Sequence, residues 1–156
     1  MKIGERVLSN NNLEIVCIPR DDGDIVLKFK PVLDESAFDK LYPRPRPPLI
    51  TDKDGKRYDF GDKDYIASIG SWAEAKTNWL FLESISATEG LTWETVDATK
   101  PETFGNYIQE LRASGFTETE QIFMQQAFSK VNTLSSEHLE AARSRFLATT
   151  QGTKNQ

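Results

Sequence analysis

Four prolines within six residues divide this chain into two parts that have different local patterns. Residues 43–48 have the sequence Pro-Arg-Pro-Arg-Pro-Pro. Proline has no backbone N–H and restricts the residue before it, so neither a helix nor an inner strand can continue through this segment. We expect a stiff, polyproline-like connector here. It belongs to a small antiparallel β region over residues 1–60, which is followed by a helical domain over residues 61–150.

Short apolar and β-branched runs alternate with turn residues in the amino-terminal part. Residues 3–8 and 13–18 flank three consecutive asparagines and predict a first hairpin. An acidic turn leads into a third predicted strand at residues 25–29. A further hairpin is predicted around Asp54-Gly55, a dipeptide suited to a type I′ turn, and its high charge predicts that it is exposed. We therefore expect an α+β fold, with antiparallel hairpins or a small sheet followed by a four-helix carboxy-terminal half.

Apolar residues at three- and four-residue spacing predict the helices. A short helix at residues 37–42 ends at the proline-rich connector. The longest helix is predicted at residues 62–86. The next begins near Pro101, which suits the first turn of a helix, and Gly115 ends it.

Capping residues mark the last two predicted helices. Residues 117–120 have the T-x-x-E form of a capping box, so a helix is predicted to begin near Glu118. The final helix is predicted to begin after a cap at Ser135 or Ser136. Residues 151–156 contain no apolar residue, and we expect them to form a flexible tail.

Charge and cysteine content disfavour several classes of protein. The chain has 19 Lys and Arg against 24 Asp and Glu, and its net charge is −5 at pH 7. Nucleic-acid binding needs a basic surface, so no nucleic-acid partner is expected. No apolar run approaches the roughly 20 residues that span a bilayer, and no secretion signal is visible, so we expect no membrane partner and a cytoplasmic location. The single cysteine, Cys17, has no partner for an internal disulfide and is expected to be buried in a strand.

Catalytic patterns are missing from the sequence. His138 is the single histidine and is expected to be a solvated residue in the first turn of a helix. One histidine and one cysteine cannot supply the four ligands of a structural zinc site. No glycine-rich phosphate-binding loop is present. We therefore expect no enzymatic activity, no catalytic or metal-binding residues and no cofactor.

Aromatic residues are the remaining candidates for function. The chain has three Trp, four Tyr and nine Phe residues, and a domain of this size cannot bury all of them. Most must form the core, while others are available to bind a protein partner. This number of aromatics is also compatible with a homo-oligomer, although composition does not require one. The candidate protein-binding residues are Trp72, Trp79, Phe116, Phe123 and Phe128.

Several segments of the chain resemble the tail assembly chaperone family of long-tailed bacteriophages. The similarity lies in the helical half of those proteins, and its motifs are helix caps and core positions. In this sequence the matching segments are EGLTWETVD at residues 89–97, PETF at 101–104, ELRASGFTETE at 110–120 and NTL at 132–134. The amino-terminal segments IPR at 18–20 and GDIV at 23–26 also resemble phage tail-gene products.

The resemblance implies a function in virus assembly. Such a protein, in the host cytoplasm, binds the tape measure protein or another phage tail protein without covalent chemistry and keeps its apolar helices soluble during tail assembly. Two alternatives remain open. The chain could be a structural virion component, such as a minor tail or connector protein, or a small host-directed inhibitor with an acidic surface. Interspersed Lys and Arg residues disfavour the inhibitor.

Overall fold

Short antiparallel hairpins form the amino-terminal half of the protein, and helices form the carboxy-terminal half. The computed structural model describes residues 1–154. The strands are β1 (Lys2–Ile3), β2 (Arg6–Val7), β3 (Glu14–Ile18), β4 (Ile25–Phe29), β5 (Leu49–Asp52) and β6 (Gly55–Tyr58). The helices are α1 (Ser36–Leu41), α2 (Lys63–Ile85), α3 (Tyr107–Ala113), α4 (Glu118–Asn132) and α5 (Ser136–Lys154), and a 3₁₀-helix (Pro101–Asn106) precedes α3.

The strands pair as three separate hairpins, β1 with β2, β3 with β4, and β5 with β6. The predicted hairpin between residues 3–8 and 13–18 is therefore wrong. The chain reverses earlier, at Gly4, whose φ of +61° is a backbone conformation that glycine adopts without steric cost. Strand β3 pairs instead with β4, across a turn that contains Gly23 with a φ of +127°. The third predicted strand is confirmed as β4.

The exposed hairpin after the proline-rich connector is confirmed, but its turn differs from the prediction. Asp52 pairs with Gly55, so the two residues between them form the turn. A type I′ turn needs positive φ at both central residues, and in residues 1–154 no residue other than glycine has a positive φ. Gly55 instead follows the turn, with a φ of +113°.

Local capping explains where the main helices begin. Asp62 immediately precedes α2, and its carboxylate accepts a hydrogen bond from the backbone N–H of Tyr65 at 2.8 Å. The predicted capping box is confirmed: Thr117 Oγ1 accepts from the Glu120 N–H at 3.1 Å, and the Glu120 carboxylate accepts from the Thr117 N–H at 2.9 Å. The helix predicted from Pro101 begins as the tighter 3₁₀-helix and continues as α3.

Helix α5 begins where the serine cap predicts. The Ser135 hydroxyl oxygen accepts a hydrogen bond from the backbone N–H of His138 at 3.2 Å. His138 is exposed in the first turn, as expected. The helix continues to Lys154 and thus extends into the segment for which the sequence predicts a flexible tail. Residues 155–156 of that segment lie outside the described residues.

The main core lies between the β3–β4 hairpin and helices α2, α3 and α4. Phe81 of α2 is at its centre, 2% exposed. Its ring stacks on Tyr107 with the centroids 4.6 Å apart, and meets Phe29 edge-on at 5.8 Å. The other buried residues of this cluster are Ile18, Leu27, Ile85, Leu111, Met124 and Ala127.

The carboxy-terminal end of α2 and the turn after it cover the outer edge of β4 and of the residue that follows the strand. The backbone N–H of Lys28 donates to Thr88 Oγ1 at 2.8 Å, and the Thr88 hydroxyl donates to the Lys28 carbonyl at 3.2 Å. Two residues later, the Lys30 N–H donates to the Ser84 carbonyl at 2.9 Å, and the Ser84 hydroxyl donates to the Lys30 carbonyl at 2.6 Å. These hydrogen bonds take the place of a third strand, which a two-stranded hairpin otherwise needs for stability.

Asn132, at the end of α4, extends this network. Its side-chain nitrogen donates to Ser84 Oγ at 3.2 Å and to the Phe128 carbonyl at 3.0 Å. Its side-chain oxygen accepts from the backbone N–H of Val32 at 2.8 Å. Ser84 is fully buried, so its hydroxyl connects β4, α2 and α4 away from water.

We expect Ser84→Ala to lower the free energy of unfolding by about 1–3 kcal/mol, because it leaves the Lys30 carbonyl without its hydroxyl donor. Ser86→Ala is the matched control, since the Ser86 hydroxyl is exposed and bonds only within its own helical turn. Its effect should stay below about 0.5 kcal/mol. Urea unfolding followed by tryptophan fluorescence measures both values. Equal losses would show that the buried network does not stabilise the fold.

Candidate protein-binding site

The two candidate tryptophans lie together in a second, smaller aromatic cluster. Both are partly buried, and their rings lie 6.1 Å (Trp72) and 5.7 Å (Trp79) from the ring of Phe38. Trp72 Nε1 also donates to the Tyr42 carbonyl at 2.9 Å. These contacts attach α1 and the start of the proline-rich connector to α2.

Phe116 and Phe128 pack against the main core. The Phe128 ring meets Phe81 edge-on at 5.7 Å. The Arg20 guanidinium lies over the Phe116 ring, 5.4 Å from its centroid. Both phenylalanines are partly buried, so each contributes to packing and leaves only part of its surface accessible.

Phe123 differs from the other four candidates because its side chain is 55% exposed. It lies on α4 beside a groove of about 530 Å³, which we call the β3–α4 groove. The five candidates thus occupy three environments, and their role in binding stays a prediction. The groove is lined on one side by residues 14–19 and on the other by Glu120, Phe123, Gln126, Ala127 and Lys130.

The side chains of β3 alternate between the core and the solvent. Val16 and Ile18 point toward the core, and Ile18 is fully covered. Ile15 and Cys17 point the other way and are exposed. The prediction that Cys17 is buried is therefore wrong. An apolar neighbourhood in the sequence does not reveal which face of a two-stranded hairpin is covered, whereas the period-two alternation assigns Cys17 to the face opposite Ile18.

The outer edge of β3 presents unpaired backbone groups. Lys28 of β4 points its N–H and C=O away from β3, toward Thr88, and Lys28 lies opposite Ile15. In an antiparallel pair, two directly opposite residues either hydrogen-bond to each other or both direct their backbone groups away from each other. The N–H and C=O of Ile15 therefore also point outward, away from β4. Cys17, two residues on, does the same. No other element within residues 1–154 donates to or accepts from these groups.

Two ion pairs hold α4 along β3, one at each end of the groove. At one end the Arg20 guanidinium binds both oxygens of the Glu120 carboxylate, at 2.8 and 3.0 Å. At the other end Lys130 Nζ lies 3.1 Å from the Glu14 carboxylate. The helix therefore runs antiparallel to the strand. A fork-to-fork guanidinium–carboxylate pair also fixes the relative orientation of the two groups, and hence the geometry at this end of the groove.

The pair at the Arg20 end shifts the ionisation of its acid. The hydrogen bonds from Arg20 lower the pKa of Glu120 from 4.5 to about 2, and the backbone N–H of Thr117 adds to this shift. The same contact raises the pKa of Arg20. The pair is therefore fully ionised at neutral pH. Its position at the end of the groove leaves the middle, beside Phe123, free of charge.

The groove presents apolar side chains and backbone hydrogen-bonding groups, which suit binding to another polypeptide.

In the part of the chain that the structure describes, no three His, Cys, Asp or Glu side chains are grouped so as to hold a metal ion. Between residues 1 and 154, no helix has the length and apolar character needed to cross a membrane. No protein-family model, curated protein or solved structure matches the chain.

We expect Glu120→Gln to flatten the pH dependence of stability below pH 4.5. A carboxyl whose pKa is lowered on folding stabilises the protein above its ordinary pKa, and this contribution is lost as the pH falls toward about 2. The variant should be less stable than the wild type at pH 7 and should lose less stability between pH 4.5 and 2.

Glu118→Gln is the matched control for this experiment. It removes one carboxylate from the same helical turn, and Glu118 makes no ion pair within the described residues. The carboxyls with lowered pKa elsewhere, such as Asp52 and Asp97, are the same in all three proteins. Urea unfolding at a series of pH values gives the comparison. Identical curves for the two variants would contradict the role of the Arg20 pair.

Proposed function

We propose that this chain is a tail assembly chaperone-like protein, which binds the tape measure protein non-covalently and keeps it soluble in the host cytoplasm during tail assembly. The observation that carries this proposal is the open edge of β3 beside the exposed Phe123. The resemblance of residues 87–146 to the phage chaperone family supplies the identity of the client.

An unpaired strand edge suits a client that has not yet folded. An extended segment can add to β3 by pairing its backbone with the outward groups of Ile15 and Cys17. Backbone hydrogen bonds do not depend on the client's side chains, so one edge can bind many segments of a long protein. Every second side chain of such a segment lies on the face toward α4, where an apolar side chain can contact Phe123 and add affinity.

Charge supports the same function. The net charge of −5 keeps a complex with an apolar client dispersed, because like-charged particles repel each other. Within the groove, Lys130 is already paired with Glu14 of β3, and Glu120 is paired with Arg20, two residues beyond the strand. A client segment therefore meets no unpaired charge along the strand, which favours apolar segments.

Phe123→Ala should weaken binding of tape measure fragments by about tenfold or more, since it removes the exposed aromatic side chain beside the strand edge. Ile122→Ala is the matched control. Ile122 is 56% exposed, nearly the same as Phe123, but does not line the groove. Sedimentation and solubility of fragments from the encoding phage's tape measure protein, mixed with each variant, measure the difference. Unchanged fragment solubility with the wild-type chain would refute the chaperone function.

Cys17→Pro tests whether the client binds as an added strand. Proline removes the outward N–H of Cys17 but no hydrogen bond of the β3–β4 ladder, so the hairpin should remain folded. We expect the variant to bind the fragments about fivefold or more weakly, because one backbone hydrogen bond to the client is lost and the next one is misaligned. Cys17→Ser, which keeps the N–H, should bind as the wild type does. Equal binding by both variants would show that the client does not pair with β3.

A second candidate function, a structural virion component, is favoured by the β5–β6 hairpin. Nearly all of its residues are exposed, and it follows the proline-rich connector. A projecting hairpin of this kind can dock onto a neighbouring subunit. Stoichiometric copies of the chain in purified virions would support this function, whereas a chaperone should be absent from them.

A further inference from the structure

A second groove lies between the proline-rich connector and the first half of α2. Its volume is about 690 Å³, and we call it the connector groove. The connector is held at both ends. Trp72 Nε1 donates to the carbonyl of Tyr42, just before the connector, and the Asp59 N–H donates to the Pro48 carbonyl at 2.8 Å. The connector therefore runs in the opposite direction to α2 and forms one wall of the groove.

The connector groove is basic, although the chain as a whole is acidic. Three basic side chains line it, Arg44, Arg46 and Lys76, against one carboxylate, Asp39. Lys76 is already neutralised, because its Nζ lies 2.7 Å from Glu35 and 3.9 Å from Asp39. Neither arginine pairs with a carboxylate of the described residues. The two guanidiniums therefore leave an excess of positive charge in the groove.

Both guanidiniums extend from a backbone that has little freedom. Arg44 and Arg46 alternate with prolines, whose rings lock φ near about −65°. Each arginine also precedes a proline, which restricts it to extended conformations. Arg44 is further held over the ring of Trp72, 5.4 Å from its centroid. Binding of an anion here therefore requires little further ordering of the chain, and this favours affinity.

Aromatic side chains form the wall that faces the connector. Phe60 precedes α2 and is 66% exposed. Its ring meets the ring of Tyr65 edge-on, with the centroids 6.1 Å apart. Both residues line the groove. The groove thus combines unpaired positive charge on one side with accessible apolar surface on the other.

We propose that the connector groove binds a short acidic polypeptide segment of a partner protein. Carboxylates of the segment pair with Arg44 and Arg46, and an apolar side chain packs on Phe60. Guanidinium groups bind carboxylates through two parallel hydrogen bonds, and clustered arginines recognise acidic motifs in this way. Six residues of polyproline-like chain span about 19 Å. An extended segment of about six residues matches this length.

Single-stranded nucleic acid is the other anion that basic and aromatic residues bind together. Two features of the protein favour the peptide. Phe60 and Tyr65 meet edge-on, and the ring of Trp72 already carries the cations of Arg44 and Lys76, so successive bases find no free parallel faces on which to stack. The net charge of −5 also repels a long polyanion, whereas a short acidic segment meets mainly the local positive charge.

This inference does not rest on the proposed function, because it concerns a different surface. The connector groove and the β3–α4 groove share no lining residue. Phe123→Ala, which should weaken binding of tape measure fragments, should therefore bind an acidic peptide as the wild type does. The two proposals can succeed or fail separately.

Fluorescence anisotropy with the full chain and a labelled peptide gives the test. The probe has six residues that alternate Asp and Leu, with both ends blocked, and the matched peptide carries Asn in place of each Asp. We expect the Asp peptide to bind about tenfold or more tightly than the Asn peptide, and its affinity to fall as salt is added. Equal binding of the two peptides would overturn the proposal.

Arg44→Gln and Arg46→Gln should each weaken binding of the Asp peptide about fivefold. Arg46 makes no hydrogen bond, ion pair or ring contact within the part of the chain described, so Arg46→Gln should unfold at the same urea concentration as the wild type. Arg6→Gln is the matched control. Arg6 is exposed as well, does not line the groove, and changes the net charge equally. Equal losses in Arg6→Gln and Arg46→Gln would reduce the effect to net charge and overturn the proposal.

Phe60→Ala should weaken binding of the Asp peptide about threefold or more, because it removes the apolar contact. Phe146→Ala is the matched control, since Phe146 has the same exposure of 66% and lies on α5. Two other results would overturn the proposal. A labelled thymidine hexanucleotide that binds more tightly than the Asp peptide would identify nucleic acid as the ligand. Self-association of the wild type that Arg46→Gln abolishes would identify a second copy of the chain.

Discussion

The hydrogen bonds from Ser84 and Thr88 to the outer edge of β4 determine how the rest of the protein is arranged. A two-stranded hairpin has two open edges and is marginally stable by itself. Here the carboxy-terminal end of α2 and the turn that follows it close one edge and anchor the hairpin to the longest helix. The other edge, on β3, is left open. The position of the groove is thus a consequence of which edge α2 covers, and α4 only completes it.

Helix α2 also explains why the protein has two aromatic clusters. Its buried residues point in different directions: Phe81 and Ile85 face the main core, whereas Ala75 faces Phe38 and the smaller cluster. A helix that packs on more than one side has no single apolar stripe. Such a helix acts as a central support, and this is why the proline-rich connector and the β3–β4 hairpin can both attach to it.

Local signals in the sequence predict the helices well and the strand pairing poorly. The Asp62 cap and the capping box that begins at Thr117 involve residues only three positions apart, so the sequence displays them directly. Strand pairing depends on where the chain reverses, and β1 and β2, with two residues each, are too short to show a recognisable pattern.

The candidate site is harder to predict from the sequence than the strand pairing is. One end of its groove is closed by Arg20 and Glu120, which are 100 positions apart in the chain. Alternation within β3 could have identified Cys17 as outward-facing, but only tertiary contacts show which strand edge stays open. The open edge of β3 has a further consequence for aggregation. Such an edge can pair with the same edge of another copy of the chain, and charged side chains at an edge strand oppose this pairing. Glu14 and Arg20 place a charge at, or just beyond, each end of β3, and both are ion-paired with α4.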